Sequence, residues 1–406
     1  MSLQKEKNPY RPGAGHMPPF LAGRNKQMAE FSKLIEQKII LENMVLTGLR
    51  GVGKTVLLDT LRPLAIRKKW LWIGTDLSES VSISEENLAT RLLTDLSVVT
   101  SNFTISREII SKIGFVSSEQ IIEQKLGFEF LKKIFIKSPG LLADKLKFIL
   151  EFVWVLLKEK NTSGIIFAYD ESQNLSDRPT KEQYPLGLLL DVFQSIQKKN
   201  IPFMLLLTGL PTLFPKLVES RTYAERMFKV VFLKSLNKKD SRDAILKPLK
   251  NRGAKNQLNF DDKSVNLIVD HSAGYPYFIQ FICKEAYDVF LLQLLAEESP
   301  SVPLSEIIRK LDDDFFSGRW ARATDRQREL LVLIANLENA GKEFSVQDIV
   351  VLSKNSEVGK PFSPSHVNQM LTTLSSVGLI YKNRFGRYSF AVPLLGEFIK
   401  RQRDLG

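Results

Sequence analysis

The sequence contains very few of the residues that form disulfide frameworks and metal centres. Its 406 residues include one cysteine, Cys283, and three histidines, His16, His271 and His366, which lie far apart in the chain. A single cysteine excludes an intrachain disulfide and favours a reducing, cytoplasmic location. The scattered histidines argue against a His/Cys metal site.

Long apolar runs are missing as well. The most apolar stretch, residues 148–157, contains Glu151, and it is about half as long as the roughly 20 apolar residues that a helix needs to span a bilayer. The first residues lack the apolar core of a signal peptide. We therefore expect a buried helix at 148–157 and no association with a membrane.

Acidic residues are fewer than basic ones. The chain has 45 Asp and Glu against 57 Lys and Arg, a formal net charge of +12 and a pI near 9.5. This surplus favours an anionic partner such as nucleic acid, although it does not bear on the fold. The hydrophobic fraction of 44% and the charged fraction of 25% are typical of a soluble globular protein, and the length predicts two to four domains.

Short apolar segments alternate with helical patterns in the first 236 residues. The five predicted strands are residues 43–47, 70–74, 164–169, 203–207 and 229–233. Apolar runs without alternation are typical of strands buried on both faces, and their alternation with helices predicts an α/β fold with a parallel sheet. We predict a nucleotide-binding core at 20–236 that follows an extended Pro/Gly-rich arm at 1–19 and contains a mostly helical insertion at about 85–160.

The strand signals stop after residue 236. We predict a small helical domain at 237–298 and a linker with one helix at 299–320. Residues 321–406 show three helical patterns followed by two strand patterns, which is the element order of a winged helix-turn-helix.

A complete phosphate-binding motif follows the first predicted strand. Residues 48–55, GLRGVGKT, match G-x-x-x-x-G-K-[ST], with a predicted helix after them. Glycines allow a tight turn that points backbone N–H groups at phosphates, Lys54 neutralises the β- and γ-phosphates, and the Thr55 hydroxyl is a Mg²⁺ ligand. The predicted ATP-binding residues of this loop are Gly48, Arg50, Gly51, Val52, Gly53, Lys54, Thr55 and Val56.

Acidic and polar residues end the next two strands of the core. Asp170 closes the strand at 164–169, where a carboxylate holds Mg²⁺, and Glu171 follows where a general base orients the attacking water. The alternative is a strand-end turn with two solvated acids. Thr208 ends the strand at 203–207, where its hydroxyl either reaches the γ-phosphate or caps the strand.

These motifs, in this order, resemble those of the AAA+ P-loop ATPases, and more narrowly those of the bacterial group related to origin-recognition and initiator proteins. The matching stretches are residues 8–19, 21–24, 48–55, 170–173, 208–211, 223–228 and 274–280. The resemblance implies a five-stranded sheet of order 5-1-4-3-2, a helical lid, a C-terminal winged helix and nucleotide between the core and the lid.

The resemblance also implies individual roles. Phe20, Leu21 and Arg24 would line the adenine end, Thr208 would be sensor 1, and Pro276 would open the sensor 2 helix. Arg226 before the fifth strand fits an arginine finger that a neighbouring subunit supplies, with Arg221 as the runner-up, unless both are surface residues.

The chain departs from the family at Tyr277, where a sensor 2 arginine usually follows the Gly-x-Pro sequence. This tyrosine argues against sensing of the γ-phosphate by the lid of the same subunit.

The predicted recognition helix of the winged module spans residues 365–377. Its outward-facing Asn368 and Gln369 are residue types that read bases. Lys382, Arg384 and Arg387 crowd the predicted hairpin and suit phosphate contacts. The recognition helix has no Lys or Arg, so a protein-binding module is the alternative.

The sequence thus predicts a cytoplasmic ATPase that binds ATP and Mg²⁺ and switches its binding to double-stranded DNA with the nucleotide. One alternative is a signalling or protein-remodelling ATPase whose winged module grips a protein partner. Another is a nucleotide-stabilised scaffold with negligible hydrolysis. A homo-oligomer is compatible with all three.

Overall fold

A computed structural model describes residues 7–37, 39–111, 119–250, 258–338, 341–355, 360–384 and 386–403. The chain forms two compact units. The sheet unit comprises residues 25–47 and 57–232, and the C-terminal unit comprises the described parts of residues 1–24, 48–56 and 233–406. Within the described ranges, no helix has both the length and the apolar character needed to cross a membrane.

The sheet unit is built on five parallel strands in the order β2-β5-β6-β1-β7. All residues of the central β1, β5 and β6 are buried, as expected for strands covered on both faces. Read from the other edge, this is the predicted order 5-1-4-3-2, which is confirmed. The strands of the unit are β1 Asn43–Thr47, β2 Trp70–Asp76, β3 Thr104–Ser111, β4 Glu119–Lys125, β5 Gly164–Asp170, β6 Phe203–Gly209 and β7 Phe228–Phe232.

Helices pack against this sheet around an aromatic core. The rings of Phe167 on β5 and Phe193 meet edge to face with centroids 4.9 Å apart, and both side chains are fully buried. The helices are α1 Asn25–Ile35, α2 Lys54–Arg67, α3 Glu85–Thr100, α4 Phe128–Lys137, α5 Leu142–Lys158, α6 Pro185–Lys198, α7 Leu213–Ser220 and α8 Ala224–Met227. The first three residues of α2 group with the C-terminal unit.

The insertion contains helices α3, α4 and α5, and it also contains a pair of strands that its sequence pattern does not predict. Strands β3 and β4 pair as an antiparallel hairpin with Ile109 opposite Ile121, between helices α3 and α4. Adjacent isoleucines such as Ile109 and Ile110 fit both a helix and a strand, so periodicity alone does not separate the two. The apolar stretch at 148–157 lies in α5, which buries one face only, because Phe148 and Val155 are about half exposed.

The C-terminal unit has one continuous apolar core that runs from Tyr10 through Phe278 and Phe316 to Phe398. Its elements are α9 Lys238–Lys250, α10 Asp262–Ser272, α11 Pro276–Leu295, α12 Leu304–Leu311, a π-helical turn Asp312–Ser317, α13 Gly318–Trp320, α14 Asp325–Ala335, α15 Val346–Asn355, α16 Pro364–Ser376, β8 Ile380–Arg384, β9 Arg387–Phe390 and α17 Leu395–Arg403. We call residues 325–403 the C-terminal module.

Local sequence explains where the helices of this unit begin. Asp261 caps α10 by accepting a hydrogen bond from the Ser264 N–H, and Ser363 caps α16 in the same way from His366. Pro364 occupies the first turn of α16, where its missing N–H costs nothing. The predicted start of the recognition helix is therefore confirmed to within one residue.

The N-terminal arm is held against α9 and α11. The buried Tyr10 donates its hydroxyl to the Ile245 carbonyl at 2.5 Å, and the Asn8 amide donates to the Lys284 carbonyl at 2.8 Å. The Arg11 N–H donates to Gln280 Oε1 at 3.0 Å. A segment with four prolines cannot supply its own backbone ladder, so these contacts order the described part of the arm.

Candidate nucleotide site

The glycine loop at 48–53 joins the end of β1 to the start of α2. Gly51 and Gly53 have φ of 75° and 89°, a backbone region that glycine adopts without steric cost. Lys54 is the first residue of α2, and its Nζ donates to the carbonyls of Gly48 and Leu49 at 2.8 and 3.0 Å. The loop thus combines a lysine ammonium with the N-terminus of a 14-residue helix, an arrangement that attracts phosphate.

Two residues of the C-terminal unit hold the loop in place. The Tyr277 N–H, in the first turn of α11, donates to the Gly51 carbonyl at 3.1 Å. The Arg24 guanidinium donates to the carbonyls of Val52 and Lys234 at 2.8 and 3.1 Å. Arg24 is 5% exposed, and this burial lowers the pKa of its guanidinium. Arg24, predicted at the adenine end, thus braces the backbone of the loop.

The other residues predicted at the adenine end belong to the same unit. Phe20 and Leu21 are half-buried, and the Lys247 ammonium lies over the Phe20 ring, 4.4 Å from its centroid. Pro276 is half-buried at the start of α11. A Cβ on Gly15 would lie 3.5 Å from Thr55 Cγ2, so the arm passes close to the residue predicted to bind Mg²⁺.

Polar residues of the sheet unit gather at the carboxyl ends of parallel strands. Thr208 on β6 pairs in register with Leu46, Thr47 pairs with Gly209, and Asp170 ends β5, the next strand in the sheet. The hydroxyls of Thr47 and Thr208 are buried and have no hydrogen-bond partner among the described residues. Such orphaned groups are rare in native interiors, so this edge of the sheet is suited to an added polar ligand. Thr47 was not predicted as a site residue, because the motif begins only after it.

The acidic pair after β5 is held in a specific conformation. Asp170 is 3% exposed, and its Oδ1 accepts the Glu171 N–H at 2.8 Å. Glu171 has a left-handed backbone with φ of 49°, which costs a non-glycine residue energy and tends to occur at functional sites.

Gln173 connects the acidic pair to the strand that carries Thr208. Its Nε2 donates to Glu171 Oε2, and its Oε1 accepts the Leu210 N–H at 3.1 Å, just after β6. Lys216 on α7 donates to the Gln173 carbonyl at 2.6 Å, and burial lowers the pKa of this lysine. Sequence motifs do not single out Gln173 or Lys216, since their roles depend on long-range packing.

The two candidate finger arginines have different surroundings. Arg221 makes a bidentate pair with Asp191, with Nε–Oδ1 and Nη2–Oδ2 distances of 3.0 and 2.7 Å, and Tyr223 donates to the same carboxylate. Arg226 is exposed on α8, directly before β7, and in the part of the chain that the structure describes no side chain pairs with it. Of these two arginines, Arg221 is held in an ion pair and Arg226 is exposed.

The predicted recognition helix presents the expected face. Val367, Met370, Leu371 and Leu374 are buried, and Asn368 and Gln369 are exposed. The Asn368 amide donates to the Pro364 carbonyl of its own helix at 3.1 Å, whereas the Gln369 amide makes no hydrogen bond among the described residues.

The basic residues of the hairpin differ in their exposure and in their ion pairing. Lys382 is exposed, and Arg387 pairs with Asp348 Oδ2 at 3.3 Å with both side chains 44% exposed. Arg384 lies on β8, but its side chain is outside the described part of the structure.

Part of the chain matches a family of unknown function, and nearly the whole chain is similar to solved structures. Residues 313–399 match a family described as a domain of unknown function, DUF8462. No curated protein matches the chain. The solved structure of the Aeropyrum pernix ORC2 protein in its ADP form is similar, with a TM-score of 0.54, 12% identity, and coverage of 96% of this chain and 97% of that chain.

Two further structures from the same organism are similar over nearly the whole chain. The ORC2 protein in its ADPNP–ADP complexes has a TM-score of 0.52 at 14% identity, covering 97% of this chain and 98% of that one. The ORC1 protein in complex with DNA has a TM-score of 0.46 at 14% identity, with coverage of 96% and 94%. The ORC2 likeness shows that the chain shares the fold of these proteins, and the strand order agrees with the predicted parallel five-stranded sheet.

Proposed function

We propose that this chain binds ATP and hydrolyses it. The observation that carries the proposal is the glycine loop at 48–53, in which positive-φ glycines and the N-terminus of α2 surround the Lys54 ammonium. Backbone N–H groups of such a loop cradle phosphates, and the lysine neutralises their charge. Gly48, Arg50, Val52, Thr55 and Val56 belong to the same proposed contact surface.

Glu171 is the proposed general base. It would take a proton from water as the water oxygen bonds to the γ-phosphorus and the bond to the β–γ bridging oxygen breaks, which yields ADP and phosphate. The left-handed conformation of Glu171 and its bond to Gln173 support a fixed orientation of the carboxylate. The orphaned hydroxyl of Thr208 supports its role as the polar contact to phosphate or water.

The residues present also suit Mg²⁺. Magnesium takes oxygen ligands and is usually bound by one or two protein groups together with substrate phosphates and water. We assign the Thr55 hydroxyl and the Asp170 carboxylate to this ion, which would neutralise phosphate charge when bound. Over the described ranges no cluster of three or more His, Cys, Asp or Glu side chains could hold a metal, so the nucleotide would supply the remaining ligands.

Arg226 is the proposed arginine finger, supplied to a neighbouring copy of the chain. Its exposure on α8 and the pairing of Arg221 with Asp191 support this choice. The proposal requires a homo-oligomer in the active state.

We further propose that the nucleotide controls binding to double-stranded DNA through the C-terminal module. Gln369 and Asn368 would meet base edges, and Lys382, Arg384 and Arg387 would meet phosphates. The exposure of Gln369 and Lys382 and the net charge of +12 support this role.

A protein partner is the second candidate, favoured by the surface of the insertion. Helices α4 and α5 and the turn between them expose large apolar side chains: Ile136 is 63%, Leu141 78%, Phe148 50% and Val155 52% exposed. Exposed apolar groups of this kind often mark contacts with other proteins.

Nucleotide binding tests the proposal directly. We expect Lys54→Ala to weaken ATP binding about 100-fold in titration calorimetry, because it removes charge-assisted hydrogen bonds to phosphate that are together worth about 3 kcal/mol. Lys239→Ala, an exposed lysine on α9, is the matched control and should bind like the parent. A parent protein that binds neither ATP nor ADP would refute the proposal.

A further inference from the structure

The C-terminal unit contains a cavity of about 300 Å³ beside the glycine loop. Arg50 of the loop lines it, together with Arg319 and Arg322 from the end of the segment that connects α12 to α14. Phe315 and Gly378 complete its wall. Three arginines from two distant parts of the sequence therefore converge on one space.

The positive charge in this cavity is poorly compensated. Asp314 is the one acidic residue among the side chains that line it. In the part of the chain that the structure describes, neither Arg50 nor Arg322 forms an ion pair. Burial lowers the pKa of the Arg319 guanidinium, and the nearby charges of Arg50 and Arg322 lower it further. Like charges gathered without partners cost free energy, and an anion that enters the cavity would offset this cost.

Aromatic contacts fix the central arginine. The Arg319 guanidinium lies over the Phe315 ring, 4.2 Å from its centroid, and donates to the Phe315 carbonyl. The Phe315 ring in turn lies 5.0 Å from the ring of Tyr277, whose N–H is bonded to Gly51 of the loop. Arg319 is thus held in a defined place relative to the glycine loop, as a preorganised binding group must be.

The position of Arg50 in the glycine loop indicates which anion the cavity would bind. Arg50 follows Leu49, whose carbonyl accepts a hydrogen bond from the Lys54 ammonium at 3.0 Å. Arg50, which lines the cavity, is therefore the next residue in the chain after one whose carbonyl contacts the lysine. The planar guanidinium fork binds phosphate oxygens in pairs, and a space of 300 Å³ holds a phosphate group but is too small for a DNA duplex.

We propose that Arg50, Arg319 and Arg322 form a phosphate-binding subsite that takes the terminal phosphate of the nucleotide held by the glycine loop. This inference rests on the proposed function. Arg319 and Arg322 would supply positive charge from the segment between α12 and α14, whereas Tyr277 in the first turn of α11 carries none. Val377 and Gly378 line the same cavity, so the phosphate would lie against the turn that leads into β8 of the C-terminal module.

The ratio of ATP to ADP affinity tests the subsite. We expect Arg319→Gln and Arg322→Gln each to weaken ATP binding about 10-fold, because each removes a charge-assisted hydrogen bond to the terminal phosphate. ADP lacks that phosphate, so its affinity should stay within about 2-fold of the parent value. Arg309→Gln, an exposed arginine on α12, is the matched control and should change neither affinity. Circular dichroism checks that each variant is folded.

A second arm separates the two sources of phosphate. Inorganic phosphate is titrated into Lys54→Ala and into Lys54→Ala/Arg319→Gln, and the melting temperature is followed. Stabilisation of the first protein but not of the second, together with an ATP/ADP affinity ratio that Arg319→Gln leaves at the parent value, would assign the cavity to a separate phosphorylated ligand and overturn the nucleotide assignment. Variants that keep the parent ATP/ADP ratio, or that weaken both nucleotides equally, would overturn the subsite. A parent that binds neither nucleotide overturns the proposed function and the nucleotide assignment with it.

Discussion

At the scale of single residues, the backbone conformation of Glu171 bears directly on the hydrolysis proposed for this site. A left-handed backbone turns its side chain away from the path that an extended strand would give it, and the Gln173 amide holds Oε2. Gln173 is itself bonded to the Leu210 N–H, so the carboxylate cannot swing without breaking a chain of hydrogen bonds. The general base proposed here would benefit from this restraint, because proton transfer depends strongly on geometry.

We predict that Glu171→Gln keeps ATP binding and slows hydrolysis by about 10²–10⁴-fold, because the amide cannot accept a proton from water. Phosphate release is measured in single turnover, with ATP affinity measured on the same preparation. Glu182→Gln, an exposed glutamate in the same unit, is the control and should hydrolyse like the parent. Turnover at the parent rate by Glu171→Gln would assign the base elsewhere.

The sequence offers candidate site residues where they belong to local motifs. The residues of the glycine loop follow one another in the chain, and so do Asp170 and Glu171. Each of these two motifs can therefore be recognised from the sequence without knowledge of the fold. Thr47, Gln173 and the Arg319–Arg322 pair belong to no local motif, and the roles proposed for them depend on partners that are far away in sequence. Gln173 and Leu210, for example, are brought together by the pairing of β5 with β6.

At the scale of elements, the predicted helix starts agree with the structure where a capping residue or a proline marks the first turn. Helix α16 begins at the Ser363–Pro364 cap, and α11 begins at Pro276, within one residue of the predicted starts. The hairpin of β3 and β4 was missed because its apolar residues come in adjacent pairs, which do not alternate as a half-buried strand would.

Helix α8 provides an element-scale test, because Arg221 just before it and Arg226 within it have opposite expected roles. We predict that Arg226→Ala leaves the melting temperature unchanged and lowers ATPase activity, with activity restored by mixing with Lys54→Ala subunits, which still offer their own Arg226. A trans-acting arginine is worth about 10³–10⁵ in rate. Specific activity that is flat on dilution, with no restoration on mixing, would contradict the finger.

Arg221→Ala should instead lower the stability of the fold. The loss of a partly buried bidentate pair near the surface costs about 1 kcal/mol, which corresponds to a fall of about 2–4 °C in the melting temperature of a unit of this size.

The pKa of Asp191 is lowered from 3.8: burial opposes this shift, but hydrogen bonds from Arg221 and Tyr223 outweigh it. Because the folded-state pKa lies below the unfolded value, the pair stabilises the fold above about pH 4 and this contribution is lost as the pH falls further. Thermal melts from pH 7 to pH 3 should therefore show the difference between parent and variant shrinking toward acid. A constant difference would show that Arg221 acts by packing alone.

At the scale of the whole molecule, the surplus of positive charge is less available than the sequence suggests. Arg401 makes a bidentate pair with Asp312, with Nε–Oδ2 and Nη2–Oδ1 distances of 2.8 and 2.6 Å, and so joins α17 to the π-helical turn. Arg387 is paired with Asp348. Charges that already have partners must give them up before they contact phosphate, so the count of 57 Lys and Arg residues overstates the number of basic side chains that could take part in the proposed DNA contacts.

The salt dependence of DNA binding measures that number. Each phosphate contact releases condensed counterions and contributes about 0.9 to the slope of log K against log salt concentration. Lys382→Ala with Arg384→Ala should therefore lower the slope by roughly 1.8. Asp348→Asn releases Arg387 and should raise both the slope and the affinity, because it also removes a negative charge from the surface.

Lys238→Ala with Lys239→Ala, two exposed lysines of α9 in the same unit, controls for the loss of net charge. The series is run with ATP and with ADP, since a nucleotide-controlled switch requires the two affinities to differ. If the slope stays the same in all these variants, the module does not contact DNA phosphates, and the apolar surface of α4 and α5 becomes the first place to look for a protein partner.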